Sequence, residues 1–140
     1  MNEYKFEDII IGGGESSFTV CITDEMMNAF THYSGDINPL HTNKKYAESM
    51  GFNNCVVYGM LTASFYSTLI GVYLPGKYAI FQGLEKLTFN KPVFVGDTLT
   101  VEGKIVEKNE SVCNIKVKAI IKNQKGEKVS SAVLFAGVLK

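Results

Sequence analysis

The sequence predicts an α+β fold: a single domain over residues 1–140, with an antiparallel β-sheet wrapped around one long central helix. Three observations carry this. Apart from one early strand, the helical patterns fall before residue 74 and the strand patterns run from residue 78 to the end, an order that suits an antiparallel sheet better than alternating α/β units. The segment Gly59–Tyr73 has almost no polar face, so its helix should be buried on nearly all sides. A chain of 140 residues is also the size of one ordinary domain and can bury roughly two thirds of its unfolded surface.

Each element has its own signal. Ser17–Ile22 alternates, with Phe18, Val20 and Ile22 on one face, and reads as a strand. Thr23 or Asp24 can cap a helix that carries Met26, Met27, Phe30 and Tyr33 at helical spacing, with Gly35 to end it. A short helix follows from about Asn43, with Tyr46, Ala47 and Met50 on one side and Gly51 after its end. Leu74-Pro-Gly76 stops the long apolar helix. Then come strands at Tyr78–Gln82, Leu84–Phe89 and Thr98–Val106, the last with Leu99, Val101 and Ile105 on one face. Val112–Lys122 sets Cys113, Ile115, Val117, Ala119 and Ile121 against Asn114, Lys116 and Lys118. Asn123–Gly126 is a turn, and Val129–Leu139 is a last, mostly apolar strand.

Composition excludes several classes. Hydrophobic residues make up 46% and charged residues 20%, as in a globular chain. Fourteen basic and fourteen acidic residues cancel, so no basic excess attracts nucleic acid. No stretch reaches the roughly 18 apolar residues that a membrane span needs, and Met1–Asp8 is polar and acidic, unlike a signal peptide. Cys21, Cys55 and Cys113 are odd in number and widely spaced, which fits a reducing cytoplasm better than a zinc site or a disulfide framework. Gly12-Gly13-Gly14 reads as a turn and lacks the spacing and the following helix of a dinucleotide site.

The chemistry concentrates in Tyr33-Ser-Gly-Asp-Ile-Asn-Pro-Leu-His41. One of only two histidines, His41, lies five residues from Asp36. Pro39 biases Asn38 toward an extended conformation and stiffens the path between them. Each part also has a plain reading: Ser34-Gly-Asp36 can simply leave a helix, Asn38-Pro39 is a turn signal, and His41 can flank the next helix. Together they put a base beside an acid, the pairing that proton transfer needs. His32 falls on the polar side of its helix and reads as a surface residue. Gly59 opens the apolar helix. It either lets that helix start tightly against the sheet, or lets a carbonyl oxygen approach an unpaired N–H at the positive end of the dipole. Ser64 and Ser67 read as small packing residues, with Ser67 the better placed to reach a site. Cys55 has no base among its neighbours and reads as a small buried hydrophobe.

These residues, with Tyr46-Ala47, Gly51-Phe52, Val57-Tyr-Gly-Met-Leu61, Leu74-Pro-Gly76 and Pro92-Val-Phe-Val-Gly-Asp97, resemble the MaoC-like (R)-specific enoyl-CoA hydratases. The Ser-Gly-Asp-x-Asn-Pro-x-His pattern is specific to that family's hydratase segment, and the resemblance covers nearly the whole chain. It implies a hot-dog fold and a homodimer with two sheets joined edge to edge and sites at the interface. It also implies hydration of a trans-2-enoyl-CoA to an (R)-3-hydroxyacyl-CoA, with no resident cofactor or metal, coenzyme A being part of the substrate. Asp36 and His41 match the family's catalytic pair and Gly59 its oxyanion donor. Ser67 matches its supporting serine, and Asn38 belongs to the same substrate-binding segment. Tyr58 departs from the pattern, which commonly has histidine there. The expectation is that Tyr58 changes the acyl pocket or a hydrogen bond near the loop, and so the substrate range rather than the chemistry.

Two other functions fit the same fold class. Acyl-CoA thioester hydrolysis would call for a carboxylate on or near the central helix, and Gly59–Tyr73 contains no Asp or Glu. A non-catalytic acyl-CoA-binding module would have no use for the acid–base pair.

Overall fold

The computed structural model describes residues 1–13 and 16–139. The expected glycine turn ends at Gly14, which lies outside the described residues. A 3₁₀ turn at Phe6–Asp8 precedes β1 (Ser16–Cys21). Three helices follow: α1 (Asp24–Ser34), α2 (Pro39–Thr42) and α3 (Lys44–Ser49). Then come α4 (Gly59–Thr68), a π-helical turn (Leu69–Tyr73), and strands β2 (Ala79–Phe89), β3 (Thr98–Asn109), β4 (Asn114–Lys122) and β5 (Lys128–Val138). The strands form one antiparallel sheet in the order β1-β3-β4-β5-β2. This is the α+β arrangement the sequence predicts, a hot-dog fold with α4 in the curl of the sheet.

The inward faces of the strands explain why the helix sits there. Leu99, Val101, Ile105, Ile115, Val117, Ile121 and Leu134 are all buried, and Leu69 and Ile70 meet them from the helical side. Burying such side chains stabilises the fold by about 1.5–3 kcal/mol each, measured against full exposure. Register matters because a slip of one residue would turn this whole set outward. The pairing Val101↔Ile121 and Val117↔Leu134 keeps it inward.

Four details differ from the sequence reading. The path to His41 is not all loop, because Pro39–Thr42 forms a helical turn with Pro39 at its start, where a missing N–H costs nothing. The strands expected at 78–82 and 84–89 are one strand, β2, with register shifts between Phe81 and Gly83 and between Glu85 and Thr88. On α3 only Ala47 is buried, while Tyr46 and Met50 are exposed. The central helix is not buried all round: Met60 is 57% exposed, and Ser64, Ser67 and Gly71 continue the same open stripe. A single sheet covers only one side of a helix, so the other side stays open in one chain.

One polar contact inside this core has a defined energetic role. The Tyr66 hydroxyl donates to Ser130 Oγ at 2.9 Å, and both residues are fully buried. Burial pushes the Tyr66 phenol up to about 12, with the Ser130 bond opposing it. Because the folded value lies above the unfolded one, the contribution to stability is complete below about pH 10 and is lost as pH rises toward 12. Tyr66→Phe leaves the Ser130 hydroxyl buried without this partner, so a loss of about 1–3 kcal/mol is expected in urea unfolding at neutral pH. The gap between wild type and variant should narrow above pH 10, where the unfolded phenol ionises first, and a constant gap to pH 12 would contradict the burial of the phenol.

Candidate active site

Local bonding accounts for the path from α1 to His41 residue by residue. Thr23 caps α1, its side chain accepting from the Met26 N–H. Gly35 closes it with φ 71°, a left-handed conformation that side chains resist. The chain then turns on its own polar groups. Asp36 N–H donates to Ser34 Oγ at 3.2 Å, and Asn38 N–H donates to Asp36 Oδ1 at 3.0 Å. Leu40 N–H donates to Asn38 Oδ1 at 2.9 Å, which makes Asn38 the cap of α2. These are the side-chain turns that Asx residues favour. They use Oδ1 of Asp36 and leave Oδ2 out of the turn.

His41 is held by the segment that leads into α4. Its Nδ1 lies 2.6 Å from the Val56 carbonyl. A carbonyl only accepts, so in the neutral ring Nδ1 carries the proton and Nε2 keeps a lone pair. That segment is itself pinned, with Val56 N–H donating to Leu40 O at 3.1 Å and Val57 N–H to Val93 O at 2.8 Å. The Pro92–Asp97 motif keeps Val93 in place: Phe94 N–H donates to Asp97 Oδ2, and Gln124 donates to Asp97 Oδ1.

Helix α4 begins at Gly59 without a side-chain cap. Its first internal bond runs from Thr62 N–H to Tyr58 O at 3.1 Å, so the amides of Gly59, Met60 and Leu61 stand ahead of the helical ladder and carry the positive end of its dipole. A cavity of about 360 Å³ opens here, lined by His41, Val57, Gly59, Thr62, Phe89 and Pro92 among others. A Cβ on Gly59 would lie 3.1 Å from the Phe89 ring, so the glycine also lets that ring pack closely on the helix start.

The structure thus gathers some of the expected residues and separates others. His41 and Gly59 share the cavity. Asp36, Asn38, Tyr58 and Ser67 do not line it. Asp36 joins His41 through a third residue: Tyr58 donates to the Asp36 carbonyl at 2.8 Å and packs its ring 4.2 Å from the His41 ring. Tyr58 is buried under both instead of facing the cavity. Ser67 is exposed, two turns along the open stripe of α4. Three contributors escape a reading of the sequence. They are the Val56 carbonyl, the Phe89 ring and Thr31, whose hydroxyl lies 2.6 Å from that of Tyr58. Thr31 had a usable signal, being a polar residue one turn after the buried Met27. Val56 and Phe89 had none, because a main-chain carbonyl and a strand residue look ordinary in a sequence. A larger open depression of about 550 Å³ on the outer sheet face, between Ser17, Glu102 and Lys118, contains none of these groups.

A sheet curled over a central helix, with an imidazole and a free helix terminus at one end, defines a hot-dog protein with a polar site at the start of its helix. Residues 13–128 match the MaoC like domain family, and the chain belongs to it. An (R)-specific enoyl-CoA hydratase of Aeromonas caviae is 44% identical over 82 residues, 59% of this chain and 60% of the relative. The solved (R)-hydratase from A. caviae superposes with a TM-score of 0.88 at 30% identity, over 94% of this chain and 98% of the other. The (R)-specific enoyl-CoA hydratase of Rhodospirillum rubrum is 35% identical over 129 residues, 86% of this chain and 88% of that one. A mitochondrial 3-hydroxyacyl-[acyl-carrier-protein] dehydratase of Solanum lycopersicum is 32% identical over 101 residues, 69% of this chain and 59% of the relative.

Proposed function

We propose that this protein is a hydro-lyase that adds water reversibly to a trans-2-enoyl-CoA, giving an (R)-3-hydroxyacyl-CoA, with Asp36 and His41 as its acid–base pair. The observation that carries the proposal is the way each group is pinned. Asp36 commits one carboxylate oxygen to the turn and His41 commits Nδ1 to Val56. Each keeps one acceptor, Oδ2 and Nε2, and one tyrosine holds both residues. In this proposal the two acceptors share a single water, which has two hydrogens to donate.

The reaction then follows from the chemistry of the substrate. The thioester carbonyl draws electrons from the double bond and leaves the β-carbon electrophilic. The water oxygen bonds to that carbon and passes one proton to the pair, keeping its other hydrogen as the new hydroxyl. Electron density moves through the α-carbon onto the thioester oxygen, where the Gly59 N–H and the α4 dipole stabilise it. Losing a donor of this kind costs about 2.7–4 kcal/mol of barrier. The pair returns its proton to the α-carbon, so atoms and charge balance and no external oxidant is consumed. With both groups on one side of the substrate, oxygen and proton arrive on the same face. The names of the relatives support both the substrate class and the (R) outcome.

A homodimer completes the proposal. Among the described residues, β2 ends the sheet and bonds only to β5. It has no buried residue, yet Ile80, Leu84 and Phe89 are 49%, 38% and 49% exposed. An unpaired edge with apolar side chains is a pairing surface or a hazard, and the open stripe of α4 adds to what a second copy would cover.

Asp36→Ala and His41→Ala are each expected to lower turnover of crotonyl-CoA, or of the best enoyl-CoA, by at least about 100-fold. The double variant should be little worse than either, because groups sharing one step are not additive. Circular dichroism should show the fold retained. Near-normal turnover in the single variants would refute the hydratase reading, and losses that multiply would refute the shared water. Sedimentation at micromolar concentration should give a dimer, and a monomer would contradict the pairing of β2 edges.

A further inference from the structure

Tyr58 makes two contacts that no other side chain near the site combines. Its hydroxyl donates to the Asp36 carbonyl at 2.8 Å, and its ring lies 4.2 Å from the His41 ring, tilted by 35°. The residue is only 2% exposed, so neither contact competes with solvent. Behind it stands a support from α1. The Thr31 hydroxyl is 2.6 Å from the Tyr58 oxygen and 2.9 Å from the Met27 carbonyl one turn back, and Phe30 packs on the ring at 4.8 Å. The two hydroxyl protons serve three contacts, to the Asp36 carbonyl, to the Met27 carbonyl and between the two oxygens.

We infer that Tyr58 is a positioning residue for the hydration, setting the Asp36 main chain against the His41 ring with Thr31 as its anchor in α1. This rests on the hydratase reading given above. The physical reason is that an exposed turn fixes a carboxylate only as well as it fixes its own backbone. The bonds at Ser34 and Asn38 join Asp36 to neighbours on the same short turn. The Tyr58 hydroxyl is different, because it reaches Asp36 from 22 residues away, from the residue that precedes Gly59. The same side chain therefore relates the acid, the base and the start of α4. A displacement of about 1 Å in such a constellation can cost on the order of 100-fold in rate.

A tyrosine that merely packs would give a different result, and the contrast is testable in the full-length protein. Tyr58→Phe removes the hydroxyl and keeps the ring on His41. It is expected to lower kcat on crotonyl-CoA by about tenfold or more, with KM within about twofold and an unchanged circular dichroism spectrum. Thr31→Val should give a smaller loss of kcat in the same sense. It also reaches the same hydroxyl from α1 if the Phe variant folds poorly. In an Asp36→Ala background, Tyr58→Phe should change the residual turnover by less than about twofold, since the hydroxyl acts through Asp36. A wild-type kcat in both single variants would overturn the inference, as would a loss in KM alone. An equal loss with and without Asp36 would overturn it too. Absence of enoyl-CoA hydration by the wild type would overturn the hydratase reading and this inference with it. Normal wild-type hydration with a neutral Tyr58→Phe would overturn the inference alone.

Discussion

Three consecutive residues before the central helix tie the site to the rest of the molecule. Val56 offers its carbonyl to His41 and its N–H to Leu40. Val57 bonds to Val93, and Tyr58 reaches Asp36 and Thr31. Remove this segment and the acid, the base and the helix start become three separate surface features. Its rigidity comes from the core. Val57, Tyr58 and Val93 are buried, so shifting any of them disturbs close packing, which proteins resist strongly. The site is thus an extension of the hydrophobic core through main-chain bonds.

The same economy explains where the helix is left open. The central helix, α4 with the π-helical turn that follows it, is covered by the sheet along Leu61, Tyr66, Leu69 and Ile70 and uncovered along Met60, Ser64, Ser67 and Gly71. The open stripe consists mostly of small residues, which allow another backbone or a ligand to come close. On the proposed reading, one chain provides the acid, the base and the oxyanion donor, and a second chain closes the site from the side that the sheet cannot reach. The unpaired edge of β2 belongs to the same argument, because both features would be covered by one neighbour.

The elements were legible to the extent that periodicity and caps are local. Thr23, Gly35 and Asn43 marked the helix ends because a cap needs only its own few neighbours. The inward faces of β3 and β4 could be read because alternation survives any tertiary context. The continuity of β2 is not legible, since Gly83 looks like a break, whereas it pairs with Phe135 and the register shift falls at Gln82. The open stripe of α4 was not legible either, because an apolar helix carries no mark for which side the sheet will cover. At the site, Asp36 and His41 stood out through residue type and spacing. In the sequence Tyr58 is only a departure from a pattern, and its placement beneath the pair instead of in the cavity depends on long-range contacts to Thr31 and Asp36. Ser67 shows the converse: its helical spacing suggested reach toward the site, and the direction of the helix places it on the open face.

The central claim is that one pair of groups works on one water from one side of the substrate. The most direct measurement is the stereochemistry of hydration in D₂O, followed by NMR on the purified hydroxyacyl-CoA. The expected product is the (R)-3-hydroxy thioester with one deuterium at the α-carbon, on the face that received the hydroxyl. An (S) alcohol, deuterium on the opposite face, or release of free thiol in place of hydration would contradict it.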